Sequence, residues 1–237
     1  MNKQLLNRRE FNGRCASLGS SLPAVSVMFA ALSSGSALAA VDGLAPNGGG
    51  RTVKFHDGTV VSALGQGSWH LAQGRHPESL EEEALRTGVS LGMTLIDTAE
   101  MYGDGRAEKL INHVIAGQRD RVFLVSKVKP DRVSENGIAR ACEASLARLG
   151  TDHLDLYLLH WRSREVDLAA IVAAFEELRA AKKIRAWGVS NFKVSDIEEL
   201  FRVPDGHRCA TNQVRYNLES RGIELICCHG APSAACQ

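Results

Sequence analysis

Gly65-Gln66-Gly67-Ser68-Trp69-His70 decides between two ways of folding one alternation of strands and helices. The stretch closes the first apolar run of that alternation. An open, doubly wound sheet expects a G-x-G-x-x-G turn here, whose third glycine lets helix and strand approach, with an acidic ribose ligand about 20 residues on. His70 stands where the third glycine belongs. The turn chemistry therefore fails, and the closed alternative, a (βα)8 TIM barrel, is the fold expected.

Outward from this turn, apolar runs at 63–68, 94–97, 122–128, 154–160, 184–190 and 210–214 alternate with helical patterns near 79–91, 105–117, 135–149, 167–182 and 194–202. Runs that are almost wholly apolar, separated by segments long enough to cross over, predict a parallel sheet buried on both faces. Ser79 with Glu82 and Ser195 with Glu198 have capping-box spacing, so they are expected to open the first and fifth helices. Upstream, Thr52-Val53-Lys54-Phe55 and Thr59-Val60-Val61, joined through His56-Asp57-Gly58, predict an N-terminal β-hairpin.

Residues 1–39 read as an export signal. Lys3, Arg8, Arg9 and Arg14 precede an apolar run over 22–32, and Ala37-Leu38-Ala39 is a small-x-small cleavage pattern. Asn7-Arg8-Arg9-Glu10-Phe11 resembles a twin-arginine signal, which implies the twin-arginine export machinery as a partner and a periplasmic destination, or a cytoplasmic one where the signal is not used. The run is too short for a stable membrane anchor. Gly13, Gly19 and Pro23 argue against an amphipathic helix lying on a bilayer. Residues 40–51 are a flexible Gly- and Pro-rich linker, 52–224 the folded region, and 225–237 a tail with neither helical nor strand period.

The 237 residues carry 28 Lys+Arg against 27 Asp+Glu, a formal charge of +1, with 44% hydrophobic content. That balance describes a globular protein and disfavours sequence-independent binding to nucleic acid. The six cysteines predict no structural disulfide. Cys15 leaves with the signal, Cys142 falls in a helix, Cys209 in a loop, and Cys227, Cys228 and Cys236 in the tail. Cys227-Cys228-His229 lacks the C-x2-C spacing of a zinc site, so no metal is expected.

Barrel chemistry collects at the C-terminal ends of the strands. Asp97, Lys127, His160 and the pair Ser190-Asn191 stand at four of those ends, and Tyr102 lies five residues past Asp97. Each type has a plainer reading as a solvated lysine, a satisfied histidine or a helix cap. Their joint occurrence at one end of successive strands selects the functional one. A phenol is a weak acid near neutral pH, so a nearby Lys127 ammonium is expected to favour its phenolate, and Asp97 to keep that ammonium charged when buried. His160 adds a donor that orients a carbonyl oxygen. Such a group suits carbonyl reduction, with hydride from a nicotinamide and a proton from the phenol.

Ile96-Asp97-Thr98-Ala99-Glu100-Met101-Tyr102-Gly103, Ser126-Lys127-Val128, Leu158-Leu159-His160-Trp161, Gly188-Val189-Ser190-Asn191-Phe192 and Asn212-Gln213-Val214 resemble, in order and spacing, the motifs of the aldo-keto reductases. The resemblance implies a (βα)8 barrel with a hairpin plugging its floor, aldehyde or ketone substrates, and NADPH in preference to NADH. It also implies a monomer when the barrel is complete. By position it makes Asp97, Tyr102, Lys127 and His160 the catalytic tetrad, with Tyr102 the proton donor. Ser190, Asn191 and Gln213 would hold the nicotinamide carboxamide, while Trp69, Trp161 and His160 would wall the substrate pocket.

A complete barrel has eight strands over about 250 residues, whereas six are legible from Thr52 onward. The incomplete barrel is expected to lack the family's seventh- and eighth-strand contributions, the aromatic that stacks on the nicotinamide and the basic groups that take the 2′-phosphate. Ile226-Cys227-Cys228-His229-Gly230-Ala231 can be encoded so that a one-base regrouping reads Asp-Leu-Leu-Pro-Trp-Cys, a sensible helix start, so a frameshift near Glu224 is expected. The alternatives to an active reductase are an inactive truncated fragment and a non-catalytic nucleotide-binding scaffold. Retention of Tyr102 and Lys127 together argues against the scaffold.

Overall fold

A computed structural model describes residues 51–55, 58–132 and 137–222. The expected signal (1–39), all of the linker but Arg51, and the tail (225–237) lie outside the described residues. Strands β1 (Thr52–Lys54) and β2 (Val60–Ser62) pair antiparallel, with Val53 opposite Val61. Phe55 N–H donates to the Thr59 carbonyl at 2.8 Å and Gly58 N–H to the Phe55 carbonyl at 3.0 Å. Gly58 sits before β2 at φ 91°, a left-handed conformation that glycine adopts without strain.

Six further strands form one sheet in chain order: β3 (Gly65–Gly67), β4 (Leu95–Asp97), β5 (Phe123–Val128), β6 (Leu154–Leu159), β7 (Ile184–Ser190) and β8 (Asn212–Gln213). Every neighbouring pair is parallel. The crossovers carry α1 (Glu78–Ser90), α2 (Arg106–Ile115), α3 (Gly137–Leu149), α4 (Leu168–Ala180) and α5 (Val194–Phe201). This is the open part of a TIM barrel, six strands among the described residues. β3 and β8 are shorter than the apolar runs that predict them.

The helix starts differ from the sequence expectation. Pro77 is the N-cap of α1, which places Ser79 inside the first turn without a capping bond. α5 is capped two positions earlier than expected, with Lys193 N–H donating to Asp196 Oδ2 at 2.9 Å. Aspartate reaches back where Ser195 and Glu198 are expected to, because the cap falls two residues upstream of Ser195. Asp167 caps α4 by accepting from Ala169 N–H at 2.9 Å.

The main core lies between strands and helices, where Phe175 stacks on Trp187 at 5.5 Å and meets Tyr157 edge-on at 5.8 Å. A smaller core of Val125, Leu156 and Leu158 fills the inner face. Phe55 from the hairpin covers it, edge-on to Phe123 at 5.9 Å. Each fully buried large side chain contributes about 1.5–3 kcal/mol over its exposed state. The one acid in β6, Asp155, accepts from Leu124 N–H and from Arg119, each at 2.8 Å, and pairs with Arg185 at 3.0 Å. Its charge is therefore satisfied at the floor, and it fastens β6 to β5 far from the strand ends that carry the site.

Candidate active site

The strand ends place the candidate residues around one opening. Asp97 ends β4, Lys127 lies one residue before the end of β5, Ser190 ends β7 and Gln213 ends β8. His160 follows β6 directly, its N–H held by the Val128 carbonyl at 2.9 Å. Asn191 follows β7 at φ 57°, a left-handed conformation that asparagine tolerates better than most residues. These residues surround a pocket of about 610 Å³ whose walls include Trp69, Tyr102, Lys127, His160, Trp161, Ser190, Asn191 and Gln213. Asp97 sits beneath it.

Lys127 is almost fully buried, and three acceptors surround its ammonium: Asp97 Oδ1 and Oδ2 at 2.7 Å each and the Thr98 carbonyl at 2.9 Å. An ammonium has three protons to donate, so this shell accounts for all of them. Burial lowers the Lys127 pKa, and the Asp97 charge opposes that shift. Asp97 Oδ1 also accepts from Gln213 Nε2 at 2.9 Å, which ties the end of β4 to β8.

The Tyr102 ring has Lys127 Nζ 5.1 Å from its centroid and lies edge-on to His160 at 5.6 Å. Its phenol does not show the lowering expected from Lys127. Burial, and then the Asp97 charge, push it up to about 12. The ammonium spends its hydrogen bonds on Asp97 and Thr98, so none is directed at the phenol. His160 is held down to about 4, first by burial and then by the Lys127 charge, with Asp97 opposing. Its ring is neutral at pH 7, and Nδ1 is buried without a partner among the described residues.

Trp69 and Trp161 are core members in neither case. Trp69 is 57% exposed and stacks on His70 at 4.6 Å, while Trp161 is 37% exposed beside His160. Asn191 Nδ2 donates to Ser190 Oγ at 3.0 Å and to the His160 carbonyl at 3.3 Å. All the residues singled out in the sequence thus converge. Sequence reasoning missed Met101 and the segment from Val214 to Asn217, which also line the pocket. Their signal is adjacency to Tyr102 and Gln213, since Met101 and residues 215–217 belong to no strand pattern and Val214 closes the run at 210–214.

Residues 63–226 match the Aldo/keto reductase family. The methylglyoxal reductase YeaE of Escherichia coli (strain K12) is 51% identical over 174 residues, 73% of this chain and 61% of that protein. A glyoxal reductase of Bacillus subtilis (strain 168) is 35% identical over 175 residues, again 73% and 61% of the two. An aldo/keto reductase from Klebsiella pneumoniae, solved in complex with NADP and acetate, superposes with a TM-score of 0.69 at 51% identity, over 74% of this chain and 62% of that one. The chain spans about three fifths of the length of these relatives. With the parallel strands, the polar strand ends and the sequence match in agreement over one segment, this chain belongs to the aldo/keto reductase family.

Proposed function

We propose that this chain carries the site of an NADPH-dependent reductase of small aldehydes and ketones, with α-oxoaldehydes such as methylglyoxal as the substrate class. The observation that carries the reading is the Tyr102–Lys127–Asp97–His160 group opening onto one pocket. NADPH, when bound, supplies the hydride that the carbonyl carbon receives. The donor set on the β7–β8 side fits a primary carboxamide. Gln213 commits its amide nitrogen to Asp97 and keeps a carbonyl oxygen to accept, while Ser190 accepts from Asn191 and keeps a hydroxyl proton to donate.

Tyr102 donates its phenolic proton to the carbonyl oxygen as the carbon is reduced, giving the alcohol. A phenol at about 12 is fully loaded with that proton at pH 7. Neutral His160 offers an N–H to the same oxygen and fixes its direction, without competing as an acid. The Lys127 ammonium, 5.1 Å from the centre of the Tyr102 ring, limits the charge that builds there as the proton leaves, and Asp97 keeps that ammonium charged. Trp69 and Trp161 narrow the mouth and remove water around a small substrate. The names of the relatives from Escherichia coli and Bacillus subtilis support the α-oxoaldehyde class.

The test is methylglyoxal-dependent loss of NADPH absorbance, alongside NADPH titration monitored by nicotinamide fluorescence. Turnover with methylglyoxal and NADPH is expected. NADPH binding without turnover on any aldehyde would favour the scaffold reading instead.

A further inference from the structure

The turn that carries Tyr102 is built against local backbone preference. Gly103, Asp104 and Gly105 follow it at φ 57°, 56° and 82°, three consecutive left-handed residues, of which one is not glycine. Such a run persists only when its surroundings over-determine it. The surroundings include a buried ionic chain that does not line the pocket. The Arg148 side chain of α3 lies over Gly105, so closely that a Cβ there would stand 2.6 Å from Arg148 Cδ. Arg148 Nε donates to Glu108 Oε2 at 2.6 Å, and its guanidinium also reaches Ser145 Oγ at 3.1 Å. Glu108, in the first turn of α2, is fully buried, and its other oxygen accepts from Ser126 Oγ at 2.7 Å.

Ser126 precedes Lys127 in β5. Alternation along the strand sends Ser126 to the helix side and Lys127 to the pocket side. The chain Gly105–Arg148–Glu108–Ser126 therefore joins the turn beneath the phenol to the strand that holds the ammonium. Its two ends are fixed to each other without touching substrate. The geometry points to Glu108 as a positioning residue, acting with Arg148 and Ser126 to set the Tyr102 phenol against Lys127 and His160. This rests on the reading of Tyr102 as proton donor. Glu108's charge also favours the charged form of Lys127, in keeping with a carboxylate placed to serve both groups.

The experiment uses the 237-residue chain with 13C at the Cζ of its three tyrosines, the Tyr102 resonance being assigned by its loss in Tyr102→Phe. Glu108→Gln keeps the shape and removes the charge. Arg148→Met removes the brace over Gly105, and Arg148→Lys restores a cation. The Tyr102 resonance is expected to move in Glu108→Gln and Arg148→Met, to return toward the parent in Arg148→Lys, and the Tyr216 resonance to stay. With methylglyoxal and NADPH, kcat is expected to fall about ten- to a hundredfold while KM changes little, as a misplaced reacting group dictates.

Folded Glu108→Gln and Arg148→Met proteins with an unmoved Tyr102 resonance and parental kcat would overturn the proposal. Should these two fail to fold, Ser126→Ala leaves the ion pair intact, and the same resonance decides. A Tyr102 resonance that responds in a parent without turnover upholds the positioning role and sinks the reductase reading instead.

Discussion

Tyr102 is held protonated by burial and by Asp97, so its loss should cost chemistry and not binding. Tyr102→Phe is expected to lower kcat by about 10²–10⁴-fold with NADPH affinity unchanged, measured by turnover and by titration. Lys127→Met should be more damaging to the protein, since it strands Asp97 without a counterion. Removing one partner of such a buried pair costs about 3–5 kcal/mol, to be read as a lowered Tm along with lost turnover. His160 gives a pH signature. Its folded value of about 4 lies below the free imidazole's value of about 6.5, so the unfolded chain takes up the proton first as pH falls. The stability it contributes is complete above about pH 6.5 and is lost toward pH 4. Between those values Tm should fall more steeply in the parent than in His160→Asn, and equal slopes would remove His160 as the cause.

At the scale of elements, β8 is a two-residue strand that pairs, among the described residues, with β7 alone, yet it carries Gln213. Gly188 in β7 is what lets it approach. A Cβ there would stand 2.5 Å from the Thr211 carbonyl and 2.9 Å from Leu158 Cδ2. Gly188→Ala is expected to push β8 outward, lower Tm and weaken NADPH binding, as thermal unfolding and titration would show. The elements legible in the sequence are those with strong physical signals. β5, β6 and β7 read clearly because they are apolar on both faces and flanked by long amphipathic helices. β3 is Gly-Gln-Gly, and its trace in the sequence is the turn that fails as a nucleotide fingerprint. The caps at Ser79 and Ser195 were misplaced because a spacing rule cannot see that Pro77 and Lys193 already bend the chain. Asp97, Lys127 and His160 were legible as candidates because each stands at the end of an apolar run, and Tyr102 because it follows one by five residues. The direction of the Tyr102 shift was not, because it depends first on how far the folded chain buries the phenol and then on its approach to Asp97.

For the whole molecule, β3 and β8 are each paired on one side only among the described residues, and no described helix is long and apolar enough to cross a membrane. We read residues 1–39 as a twin-arginine export signal. Replacing Arg8 and Arg9 together by lysine is expected to abolish recovery of the protein from the periplasm, as fractionation and immunoblotting would show. Periplasmic recovery that survives the double replacement would discard that route. Resequencing the gene across Glu224 tests the proposed change of reading frame.

The hydrogen bond from Gln213 to Asp97 joins residues 116 positions apart. Contacts of such separation close late, since the loop they complete must first lose its freedom. During synthesis Asp97 and Lys127 leave the ribosome long before β8 exists, so the pair waits while more than a third of the chain's length is still to be added. The last of the described strands to emerge thus completes the hydrogen-bond shell of a carboxylate made more than a hundred residues earlier. On the proposed reading, a nascent chain short of β8 therefore holds Asp97, Tyr102, Lys127 and His160 without Gln213 beside them, and the addition of β8 brings that last partner to the carboxylate.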